Sequence, residues 1–195
     1  MINEDINERL LKIEPKVCSS AFLANKGLGN EVGYYVFDYL PQDELAVREY
    51  VETLKKKYDG TDGKLNIVTF DLYEIVLNIL HQKGYLEKCF AFEKAKGADY
   101  AFVAIIKMLR LTGKDNLIIN HIVTHTPKEN AVVFITGVGK AFPMVRSHNV
   151  LNNLHQVLDC VPVVMFFPGK YSGQDLQLFG TIKDDNYYRA FKLVD

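Results

Sequence analysis

The sequence predicts an α/β domain of three layers, with a mostly parallel central sheet covered by helices on both faces. Two observations predict it. Apolar runs of strand character, near-continuous and not alternating, recur along the chain, and segments with helical apolar stripes separate them. A third observation sets the domain count. No repeat, low-complexity tract or Pro/Gly/Ser-rich linker divides the 195 residues, so residues 1–195 are expected to share one core.

The elements follow in order. Ile6, Leu10 and Ile13 fall at helical spacing, so a short helix is expected over Ile6 to Ile13, packed against the body. The aromatic and β-branched run from Val32 to Leu40 is the first strand. Pro41 suits a first helical position, Asp43 and Glu44 suit the positive end of a helix dipole, and Lys55 to Lys57 suit its negative end. Val47, Tyr50, Val51, Leu54 and Tyr58 give that helix one apolar stripe. The second strand is Leu65 to Phe70. Helical spacing then runs from Leu72 to Leu111, broken at Gly84 and Gly97, and a shorter helix runs from Asp115 as N-cap to Thr124. Strands are expected at Ala131 to Thr136, Pro162 to Phe167 and Leu176 to Gly180, with a helix over Arg146 to Leu158 and a last short strand over Tyr187 to Leu193 after a turn at Asp184 to Asn186. The last strands suit an antiparallel edge.

Composition narrows the function. Lys+Arg 23 against Asp+Glu 24 leaves a net charge of -1, so no overall positive field exists to hold nucleic acid or an anionic membrane. Cys18, Cys89 and Cys160 are widely spaced and form no CxxC pair, which predicts reduced core thiols and neither disulfides nor a zinc ribbon. Met1 to Leu11 has neither a basic start nor an apolar block, and the longest clean apolar run is Ala101 to Ile106. A cytoplasmic chain is expected, with no membrane, cofactor or metal.

Several motifs suggest chemistry and fall short of it. Thr136 to Lys140, TGVGK, follows a strand, where glycines let backbone N–H groups approach a phosphate. A P-loop needs GxxxxGK[ST], but Phe134 stands five residues before Gly139 and Ala141 follows Lys140, so the magnesium hydroxyl is missing. Asp71 ends a strand where α/β sheets gather ligands, but it equally suits the N-cap of the helix beginning at Leu72. A degenerate phosphate site made of Gly137, Gly139, Lys140 and Asp71 therefore stays open as an alternative. His121 and His125 share a helical face at the spacing of HExxH, but Ile122 stands where the glutamate would be and no third ligand is marked. No GxSxG elbow or cysteine–histidine spacing appears, so no catalytic residue is assigned.

The helix over Arg146 to Leu158 is more specific. Val150, Leu151, Leu154, Val157 and Leu158 make one apolar face, while His148, Asn152 and His155 share a sector opposite it, flanked by Asn149 and Gln156. Polar side chains with few charges can be covered by a partner without stranding an ion in a dry interface. The tail adds Tyr187, Tyr188 and Arg189, residue types enriched at interface hot spots. The expected contact residues are Arg146, His148, Asn152, Asn153, His155, Tyr187, Tyr188 and Arg189.

These same residues carry a family resemblance. TGVG at Thr136, Arg146-Ser147-His148, Leu151-Asn152-Asn153-Leu154, Phe167-Pro168-Gly169, Leu178-Phe179-Gly180 and Lys183 to Arg189 occur in the order shown by the BrxB family, small components of the bacteriophage-exclusion (BREX) defence systems. The resemblance is close over Ala131 to Val194; upstream it lies in the pattern of helices and strands, best at the aromatic strand ending near Asp38. It implies a role in blocking phage DNA replication alongside a DNA methyltransferase, a large ATPase and a PglZ-type alkaline-phosphatase-like protein. It further implies an adaptor bound to the phosphatase-like protein, not an enzyme.

Overall fold

A computed structural model describes residues 5–24, 33–59, 65–111, 113, 115–184 and 190–194. Three short helices open it: α1 (Ile6–Leu11), α2 (Ile13–Val17) and α3 (Ser20–Leu23). The single expected helix is thus split, with Asp5 and Ser19 capping α1 and α3 through their side-chain oxygens. Strand β1 (Tyr34–Tyr39) leads through a 3₁₀ turn at Pro41–Asp43 into α4 (Glu44–Tyr58). Proline starts the tight turn and not the α-helix itself. Strand β2 (Asn66–Asp71) follows, then α5 (Leu72–Gln82), α6 (Leu86–Lys96) and α7 (Ala98–Leu109), broken near Gly84 and at Gly97. Both glycines hold positive φ, the conformation that ends a helix at least cost.

Helix α8 (Leu117–His125) is capped by Asn116, one residue beyond the expected Asp115. Asn116 is buried, and its amide also donates to the Leu111 carbonyl at 3.0 Å, a bond that a carboxylate cannot make. Strand β3 (Ala131–Thr136) runs into α9 (Val138–Ala141), a single turn, and then α10 (Ser147–Leu154). Helix α10 stops four residues short of the expected Leu158. Beyond it lie β4 (Val163–Tyr171), β5 (Leu176–Leu178), β6 (Ile182–Asp184) and β7 (Phe191–Lys192). β5 ends before Gly180 because Phe179 and Gly180 both take positive φ. The expected turn at Asp184 overlaps the end of β6, and Tyr187 to Arg189 lie outside the described residues.

Strands β2, β3, β4, β1 and β7 form the parallel core of the sheet, in that order. Its antiparallel part is the β5–β6 hairpin, which pairs with Gly169 to Tyr171 at the far end of β4, as expected of the strand at Leu176; β7 pairs parallel with β1. Two apolar layers sandwich the sheet. Residues 131, 133 and 135 of β3 face the layer under α5, α7, α8 and α10, whereas 132 and 134 face the layer under α1, α2, α3 and α4. Both faces are therefore dry, which is why the strands read as continuous apolar runs. Of the cysteines, Cys89 is buried and Cys18 half-buried, but Cys160 is exposed in the loop before β4, so it is not the core thiol expected.

Candidate functional site

The carboxyl ends of β2 and β3 lie side by side, with Asp71 opposite Thr136. Asp71 Oδ1 accepts from the backbone N–H groups of Tyr73 at 3.0 Å and Glu74 at 3.2 Å, which is the N-cap expected of it. Its Oδ2 meets Lys140 Nζ at 2.6 Å. Gly137 lies beneath the pair at φ +70°, and a Cβ there would strike the Asp71 carboxylate. At Gly139 a Cβ would lie 2.9 Å from the Phe179 ring and 3.1 Å from Pro168. Gly137, Gly139, Lys140 and Asp71 are thus brought together, as the phosphate alternative requires, but the protein's own carboxylate already neutralises the ammonium.

A cavity of about 450 Å³ opens beside this corner, between α4 and the α5–α8 side. Thr69 Oγ1 lines it, buried with no hydrogen-bond partner, and Lys55 reaches it from α4. Across it the rings of His121 and His125 lie 4.3 Å apart, with His125 Nδ1–H donating to the His121 carbonyl at 2.8 Å. Burial, and then the neighbouring His125, lower the pKa of His121. Among the described residues, no group of three or more His, Cys, Asp or Glu is placed to hold a metal ion.

The polar face of α10 divides. Arg146, at the N-cap position, and Asn152 are exposed. His148 is half-buried, and Asn153 Nδ2 donates to the Asn149 carbonyl at 2.6 Å. The His155 ring lies 4.9 Å from that of Tyr34, whose hydroxyl donates to the Leu158 carbonyl at 2.8 Å. His155 is therefore partly a packing residue, and the outward surface is Arg146, Asn152 and Gln156 with exposed Val157.

A second crevice, of about 700 Å³, lies at the carboxyl ends of β1 and β4 and has no counterpart in the sequence reading. Asp38 holds it together: Oδ1 accepts from Arg9 Nη2 at 3.0 Å, Oδ2 from the Tyr171 N–H at 2.9 Å, and its carbonyl from Arg9 Nη1 at 2.7 Å. The Arg9 guanidinium also lies 4.8 Å above the Phe37 ring. Lys170, Lys183 and Lys192 stand around the opening. The one available signal was an aspartate in an otherwise apolar strand end, since such a carboxylate needs a cation or N–H partner.

Fold and site together define an α/β domain with a mostly parallel sheet, in which the carboxylates Asp71 and Asp38, at the ends of parallel strands, are tied to cations of the same chain. Among the described residues, no helix is long and apolar enough to cross a membrane. The family model for "BREX protein BrxB" matches residues 68–193. A BREX protein BrxB of Bacillus cereus (strain H3081.97) is 53% identical over 190 residues, covering 97% of this chain and 98% of the relative. Another, of Escherichia coli O9:H4 (strain HS), is 32% identical over 195 residues, covering 100% and 94%. No solved structure matches the chain significantly. The chain belongs to the BrxB family of BREX defence systems, as the resemblance in its C-terminal third implied.

Proposed function

We propose that this BREX protein is a non-catalytic adaptor of the cytoplasm, working by contact with the PglZ-type phosphatase-like subunit and, through it, other subunits. The observation that carries the reading is the internal pairing of the carboxylates at the strand ends. Ligands of α/β sheets gather at these positions, and here Asp71 and Asp38 are both committed to internal ion pairs. The polar, weakly charged outer side of α10 supplies a surface that a partner can cover, centred on Arg146 and Asn152.

The test is co-elution with the phosphatase-like protein in size-exclusion chromatography with light scattering. A complex of defined mass, lost in Asn152→Arg while that variant stays folded and phage resistance falls with it, supports the reading; separate elution removes the proposed partner. The second reading is a phosphate site, favoured by the convergence of Gly137, Gly139, Lys140 and Asp71 beside the first cavity. It requires a nucleotide with magnesium to raise the melting temperature, because a ligand at a hundred times its Kd adds about 2.7 kcal/mol.

A further inference from the structure

The β5–β6 hairpin places two ammonium groups in one row. Lys170 of β4 is directly opposite Gln177 of β5, which is opposite Lys183 of β6. Directly paired residues point to the same face of a sheet, and adjacent strands lie about 4.8 Å apart, so the two lysine backbones are about 10 Å apart with an uncharged glutamine between them. Exposed like charges at this separation are partly screened by salt and add to one local positive potential. Lys192 of β7 lines the same crevice, and all three lysines are exposed. None lies within ion-pair distance of a described carboxylate, although Asp175 also lines the opening. The fourth cation, Arg9, is already neutralised by Asp38. Among the described residues, three lysines without an ion-pair partner thus line one concave site at the strand ends, in a chain whose net charge is -1.

We infer that this crevice docks an acidic peptide segment of a partner protein, which deepens the adaptor reading and rests on it for the partner. Side chains on one side of an extended peptide recur about every 7 Å, a spacing that lets successive carboxylates meet flexible lysine stems about 10 Å apart. Nucleic acid fits less well. The crevice tyrosines, Tyr39 and Tyr171, are buried and offer no stacking platform, and the unmatched cations are lysines without the fork that grips phosphate in two places.

The full chain is titrated with a fluorescein-labelled oligoglutamate peptide at low salt, and separately with labelled oligothymidylate. Lys170→Gln/Lys183→Gln/Lys192→Gln is compared with Lys56→Gln/Lys94→Gln/Lys107→Gln, which removes equal charge from exposed positions that do not line the crevice. Saturable oligoglutamate binding that is roughly tenfold weaker in the crevice variant, and changed less than about twofold in the other, supports the inference. It is overturned by absence of binding, by equal weakening in both variants, or by tighter crevice-dependent binding of oligothymidylate. The adaptor reading fails separately. If oligoglutamate binds in the crevice but the phosphatase-like protein elutes alone, the partner falls and the crevice stands; if co-elution persists without oligoglutamate binding, the crevice falls and the adaptor stands.

Discussion

Asp71 and Lys140 form an ion pair of 2.6 Å across the ends of β2 and β3, while the second oxygen of the same carboxylate caps α5. The two roles can be separated. Asp71→Asn keeps a good cap and removes the charge pairing, and because both side chains are about a quarter to a third exposed the loss should stay below about 1 kcal/mol. Asp71→Ala loses the cap as well, for roughly 1 kcal/mol more. Urea unfolding of the three proteins measures both steps.

Gly137→Ala should cost about 2 kcal/mol or more, from the left-handed backbone and from the collision of its Cβ with Asp71. In an Asp71→Ala background the collision disappears and only the backbone part remains. A double-mutant cycle by urea denaturation therefore returns a clear coupling energy; additive losses would show that the two residues are independent.

Stability should depend on pH through His121. Its folded pKa lies below the ordinary 6.5, so the unfolded chain takes up the proton first as pH falls. Stability is complete above 6.5 and declines as pH drops toward the lowered folded value. His121→Gln should flatten this part of the curve, read by urea midpoints from about pH 5 to pH 7.5.

The divided face of α10 predicts unequal consequences. His155→Ala removes a ring packed on Tyr34 and should lower stability by about 1 kcal/mol. Asn152→Ala touches an exposed side chain and should leave stability within about half a kcal/mol of the parent. Thermal unfolding of both tells which substitution reports on partner contact alone.

Asp38→Ala should be the most damaging of these changes, at about 3 kcal/mol, because it leaves the largely buried Arg9 guanidinium and the Tyr171 N–H without their carboxylate. Circular dichroism during urea unfolding checks it.

Periodicity was enough to reveal the layers and most of the helices, because α4, α5, α7 and α8 each bury one stripe in the layers that cover a sheet apolar on both sides. Boundaries depended on single hydrogen bonds. Asn116 and Asp115 look equivalent as caps until the buried Leu111 carbonyl demands a donor. The site was legible only where partners are near a strand end in sequence: Asp71 as a cap could be read, but its pairing with Lys140 needs β2 beside β3. Arg9 and Asp38, and the row from Lys170 to Lys183, are brought together by folding, and no spacing rule anticipates either.

Strand β4 has a consequence of a mechanical kind. Its first half lies between β3 and β1 at the centre of the parallel sheet, and its last three residues are the base of the β5–β6 hairpin. At the junction, a Cβ on Gly169 would meet the Gln177 backbone, so the two parts are held in contact without slack. A force applied to the hairpin by anything bound there is transmitted along one uninterrupted strand to the middle of the domain. The hairpin should therefore lose its amide protection in the same cooperative step as the central strands, which hydrogen exchange measures.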